Sequence, residues 1–153
     1  MMTMKYRRLS PEELSALEKE FIKFLIINGI DASEWVKINE LDNKKANEMI
    51  DTFSDLVFEG IISKVVYIEY FDQDGLKLFK CEDDTIYLTG ISSPIIFAKI
   101  EDMINHLSIH PELYSIYHTS KTYLPDKSTE IFRMIDTGGI VTDGKYYETL
   151  SKY

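Results

Sequence analysis

The chain has 153 residues, enough for one domain that buries its own core without covalent staples. Hydrophobic residues make up 44% and charged residues 28%, which is too apolar a balance for a disordered chain. A net charge of −9, from 26 acidic and 17 basic residues, repels phosphate backbones and argues against non-specific nucleic-acid binding.

Met1 to Leu9 is short, basic and polar, without the apolar centre of a signal peptide. Apolar runs such as Phe24 to Ile27 fall far below the roughly 20 residues of a membrane span. Cys81 is the only cysteine, so no intramolecular disulfide forms and no oxidising compartment is needed. The expectation is a cytoplasmic protein with no membrane and no nucleic-acid partner. Met1, Met2 and Met4 all precede Lys5-Tyr6-Arg7-Arg8, so translation from Met4 is an alternative start.

Ser10-Pro11-Glu12-Glu13 reads as a helix start, with Ser as N-cap, Pro at the first helical position and Glu at the third to close a capping box. Leu14, Leu17, Phe21, Phe24 and Leu25 then recur at helical spacing, and Asn28-Gly29 ends the helix. Asp31 with Glu34 repeats the cap for a short second helix carrying Trp35, Ile38 and Leu41. A third helix is predicted from about Asn43 to Ile62, with an apolar face of Ala46, Met49, Ile50, Phe53, Leu56, Val57, Gly60 and Ile61.

The period then changes. Val65 to Phe71, Leu76 to Cys81 and Thr85 to Ile91 read as strands joined by turns at Asp72-Gln73-Asp74-Gly75 and Glu82-Asp83-Asp84. Such short loops make the strands an antiparallel meander. Ile100 to Leu107 reads as a short helix broken by His110-Pro111, and Tyr114 to Tyr123 as a fourth strand. Lys127 to Ile135 reads as a helix capped by Gly138-Gly139, then a brief extended Ile140 to Thr142 and a last Tyr-rich element. The fold class expected is α+β in a single domain spanning 1–153. A three-helix segment leads into an antiparallel sheet of about four strands, with one or two further short helices.

Several motifs invite chemistry. Three helices before a β-hairpin is the element order of a winged helix, but its third helix would carry Glu48, Asp51, Asp55 and Glu59, where a recognition helix needs donors. Asp136-Thr137-Gly138 spells the aspartic-protease triplet, which needs a loop after a buried strand; here it follows a helical pattern. His106 and His110, one helical turn apart, are candidate metal ligands, with His118, Glu101, Asp102 or Glu112 to complete a site. Asp55 and Glu59, or Glu69 within an apolar strand, are candidate acid–base groups. Cys81 beside Lys80 is a candidate nucleophile. Lys5, Tyr6, Arg7 and Arg8 form the one dense basic cluster, a candidate anion or partner site, or a balance for the chain's own carboxylates. The last reading is favoured.

Met4-Lys5-Tyr6-Arg7-Arg8-Leu9-Ser10, then Glu20-Phe21-Ile22-Lys23-Phe24-Leu25, Asn28-Gly29-Ile30-Asp31, Trp35 and Phe53-Ser54-Asp55-Leu56-Val57-Phe58-Glu59-Gly60, resemble a small family of uncharacterised bacterial proteins classed as a domain of unknown function. The resemblance implies a single-domain bacterial protein starting near Met4, and carries no activity, substrate or cofactor. No set of residues converges on a catalytic signature. The reading is therefore a non-enzymatic domain, without cofactor, that binds a protein partner or self-associates through its tyrosine-rich strands. A metal-dependent enzyme using His106 and His110 is the alternative, ahead of a DNA binder.

Overall fold

The computed structural model describes residues 4–153; Met1 and Met2, on which the choice of start turns, lie outside the described residues. The chain divides after Ile61 into two compact units.

In the first unit, α1 (Pro11–Ala16) begins with the anticipated capping box: Glu13 N–H donates to the Ser10 hydroxyl and Ser10 N–H to the Glu13 carboxylate. The single helix expected from Ser10 to Asn28 is two. At Leu17 the amide is shared between the Glu13 and Leu14 carbonyls, a tightened turn that separates α1 from α2 (Glu18–Ile27). Past α2, Gly29 at φ 77° donates to Ile26 and Ile30 donates to Leu25, which closes a Schellman motif. Asp31 caps α3 (Ala32–Leu41) through Glu34 N–H at 2.8 Å. Phe21 meets Trp35 edge-on with centroids 5.1 Å apart and Phe53 of α4 (Asn43–Ile62) at 5.0 Å, so an aromatic core ties α2, α3 and α4 together.

The buried face of α4 is rotated from the expected one. Ala46, Phe53, Ser54, Phe58 and Ile62 are buried, whereas Leu56, Gly60 and Ile61 are exposed. The physical reason is Ser54, a polar residue at the centre of the stripe. Its hydroxyl accepts from Leu9 N–H at 2.9 Å and donates to the Ile50 carbonyl at 2.7 Å, so both polar groups are satisfied inside.

The second unit holds one antiparallel sheet in the order β4-β3-β2-β1-β5: β1 (Tyr67–Asp72), β2 (Gly75–Cys81), β3 (Thr85–Ser92), β4 (Ser115–Thr122) and β5 (Ile140–Thr142). The first three are the expected meander, and the expected fourth strand, β4, follows α5 and pairs antiparallel with β3. The brief extended segment completes a fifth strand against β1, with Ile68 opposite Val141. One face packs Leu76, Leu78 and Ile91 with Met103 and Leu107 of α5 (Ile100–Ile109), Tyr114 and Leu150 of α7 (Lys145–Leu150). On the other face, Tyr70 donates its hydroxyl to the Met134 carbonyl of α6 (Lys127–Asp136) at 2.6 Å, and Ile68, Cys81, Ile86, Ile131 and Met134 are buried. The class is α+β with an antiparallel sheet. Among the described residues there are four α-helices before the sheet where three were expected, five strands where about four were, and three later α-helices where one or two were.

Candidate functional site

The basic cluster lies along the acidic helix of its own unit. The Asp55 carboxylate accepts the backbone N–H groups of Lys5 (2.7 Å) and Tyr6 (3.0 Å), and Glu59 takes the Lys5 ammonium at 3.3 Å and the Tyr6 hydroxyl. Arg8 grips Asp51 with two bonds of 2.5 and 3.1 Å, and Arg7 grips Glu13 with two of 2.8 and 3.2 Å while lying 4.9 Å over the Phe58 ring. The electrostatics follow. The Tyr6 hydroxyl and Glu59 push the Lys5 ammonium up, Asp51 pushes Arg8 up, and Arg7 holds the Glu13 carboxyl down to about 2. Asp51, Asp55 and Glu59, which weigh against a DNA-reading helix, are thus the counterions of the N-terminal segment.

His106 and His110 do share a face, with ring centroids 4.9 Å apart. Yet His106 Nδ1 is hydrogen-bonded to the Tyr114 hydroxyl at 2.7 Å, and His110 stands at the helix end, 3.6 Å from Glu112. His118 lies on β4, where its Nδ1 meets the buried Thr89 hydroxyl at 3.1 Å. Among the described residues no group of three or more His, Cys, Asp or Glu is placed to hold a metal ion, so the metal alternative gains no support.

The remaining candidates are scattered. Burial, then Asp143, pushes the Glu69 carboxyl up, while Thr142 donates to it. Cys81 is buried, and that burial pushes its thiol up to about 11, which leaves the thiolate scarce at neutral pH despite Lys80 next door. The nucleophile reading fails on that burial. Asp136-Thr137-Gly138 ends α6, where Gly138 at φ 106° donates to Ile135 and Gly139 to Met134. It is a helix cap, and no protease loop.

Two surfaces stand out instead. In the first unit, Ile22, Ile26 and Val36 border an apolar hollow of about 230 Å3 between α2 and α3. In the second, β4 is an edge strand: it pairs with β3 from Ser115 to Thr122, and no described strand covers its other side. From Leu113 to Pro125 the sequence holds no acidic residue, in a chain whose net charge is −9.

A family model covers residues 4–153 and describes a family of unknown function, DUF6495. The chain belongs to that family. No curated protein and no solved structure matches it. The DUF6495 match bears out the expectation of a domain of unknown function and brings no activity with it. What sequence reasoning missed in this DUF6495 chain was the edge. The strand itself was legible, as was its lack of carboxylates, but its place outside β3 depends on pairing across the chain. No helix among the described residues is long and apolar enough to cross a membrane.

Proposed function

We propose that the chain is a non-enzymatic interaction domain that associates with a second copy of itself through β4, the two edge strands pairing antiparallel to continue one sheet. The observation that carries this is the uncovered, acid-free edge. An exposed strand offers a row of backbone donors and acceptors to another strand, and natural proteins blunt such edges with charge or proline. β4 has only Lys121 as a formal charge, so two copies meet there without opposing carboxylates, although each molecule carries −9 overall. Tyr117, with Thr119 and Lys121 on the same face, adds an aromatic side chain of the kind enriched at interfaces. The family model runs through both compact units, which supports reading them as one functional domain. A cytoplasmic location belongs to the same proposal, supported by a lone cysteine that is buried and free.

Light scattering on the full chain tests it. A dimer is expected at high micromolar concentration, dissociating on dilution. The double variant T119D/S120D, which sets carboxylates on both faces of the edge, is expected to stay monomeric with an unchanged circular dichroism spectrum. A wild-type monomer at every concentration, or a dimer indifferent to the double variant, overturns the reading.

A further inference from the structure

On the sheet face that carries α6, a hollow of about 370 Å3 is lined by Tyr70, Lys77, Phe79, Lys121, Met134 and Thr137 and also by the carboxylates of Asp72 and Glu130. That volume lies within the range of small-molecule sites. The strand register builds it: Tyr70 of β1 stands opposite Lys77 of β2, and Phe79 sits two residues further along β2 on the same face. The Tyr70 and Phe79 rings meet edge-on with centroids 5.9 Å apart, and the Met134 thioether adds a polarisable wall. These groups make an apolar slot for a flat ring.

The charges differ from one another. Lys121 is bound to Glu130 at 2.6 Å, and the same carboxylate accepts Leu124 N–H at 2.7 Å, so this pair is internally neutralised. Asp72 is engaged in its turn, accepting Asp74 N–H at 2.8 Å. The Lys77 side chain is exposed and makes no hydrogen bond or ion pair among the described residues, although it borders the aromatic slot. The Tyr70 and Thr137 hydroxyls lie 3.2 Å apart, their protons donated to the Met134 and Arg133 carbonyls, so what they offer a ring substituent is oxygen lone pairs.

We propose that this hollow binds a small planar aromatic molecule bearing an anionic group, the ring seated on Tyr70, Phe79 and Met134 and the anion held by Lys77. The proposal is independent of self-association through β4 and stands on different residues, Lys121 excepted, which it does not need.

The test is a two-dimensional NMR titration of the full chain with phenyl phosphate, alongside inorganic phosphate and phenol as the anion and the ring alone. Saturable shifts are expected at Tyr70, Lys77, Phe79 and Thr137, with phenyl phosphate at least about 10-fold tighter than either fragment. Lys77→Ala and Phe79→Leu are each expected to weaken binding by about 10-fold, while Lys77→Arg retains it. Absence of saturable shifts at these residues, inorganic phosphate binding as tightly as phenyl phosphate, or affinity unchanged in Lys77→Ala would each overturn the proposal. Lys77 is exposed, so the loss in its variant is not a loss of folding, and the undisturbed amide spectrum verifies that.

Discussion

Ser54 is fully buried, and it is the α4 residue that accepts the Leu9 amide of the N-terminal segment. Replacing it with Ala leaves the Leu9 amide, itself beside a buried side chain, without an acceptor, which costs about 1–3 kcal/mol. Arg8→Ala removes a better-looking contact, two bonds to Asp51, but the arginine side chain is 45% exposed and the pair contributes under about 1 kcal/mol. Urea midpoints at constant slope are therefore expected to fall further for Ser54→Ala than for Arg8→Ala, and the opposite order would refute this ranking. Glu13 supplies a pH signature. Its folded pKa of about 2 lies below the ordinary 4.5, so its contribution is complete above the ordinary value and fades as pH falls towards about 2. The stability gap between wild type and Glu13→Gln should be level at neutral pH and close through that acid window; with a carboxylate over one-third exposed the gap is small. A gap that widens on acidification would contradict the assignment. These pairings were only half legible beforehand. That Lys5, Arg7 and Arg8 balance the chain's own carboxylates followed from charge, but Asp51 and Asp55 lie more than forty residues away, and only the path of the chain brings them to the segment.

At the scale of elements, the caps decide where helices stop, and two glycines following helices separate strain from crowding. Gly29 has a left-handed φ of 77° and open space where a side chain would go, so Gly29→Ala costs about 1 kcal/mol in backbone strain. Gly139 carries no such φ, but a Cβ there would lie 2.7 Å from both the Ile68 side chain and the Met134 carbonyl. Relieving that crowding moves α6 off β1 and costs about 1–3 kcal/mol or more. Thermal melts should rank Gly139→Ala below Gly29→Ala, and equal melting points would mean that the helix end yields freely. These four helix ends were readable because a cap is local chemistry: Ser10 to Glu13, Asn28-Gly29, Asp31 to Glu34 and Gly138-Gly139 each act within a few residues. What was not readable is what tertiary structure settles. The phase of α4 turned on a buried serine that looks like a surface residue in one dimension. The interruption at Leu17 lies within an unbroken helical pattern, and β5 has only three residues, recognisable as a strand once it lies beside β1.

For the molecule as a whole, charge sets how copies meet. Two chains of −9 repel each other at a distance, and salt shortens the reach of that repulsion to about 10 Å at 0.1 M. If β4 pairs with β4, the contact consists of backbone bonds and neutral side chains from an acid-free stretch, which salt barely weakens. Lys121, the one formally charged residue of the strand, is neutralised by Glu130 within its own chain and adds no repulsion there. Dimerisation should therefore tighten as salt rises from low to moderate concentration, the reverse of what ion pairing to a basic partner would give. Sedimentation equilibrium across a salt series reads this directly. A dimer that falls apart as salt is added is held by ionic contacts from some other surface, since the β4 edge has no carboxylate with which to make them.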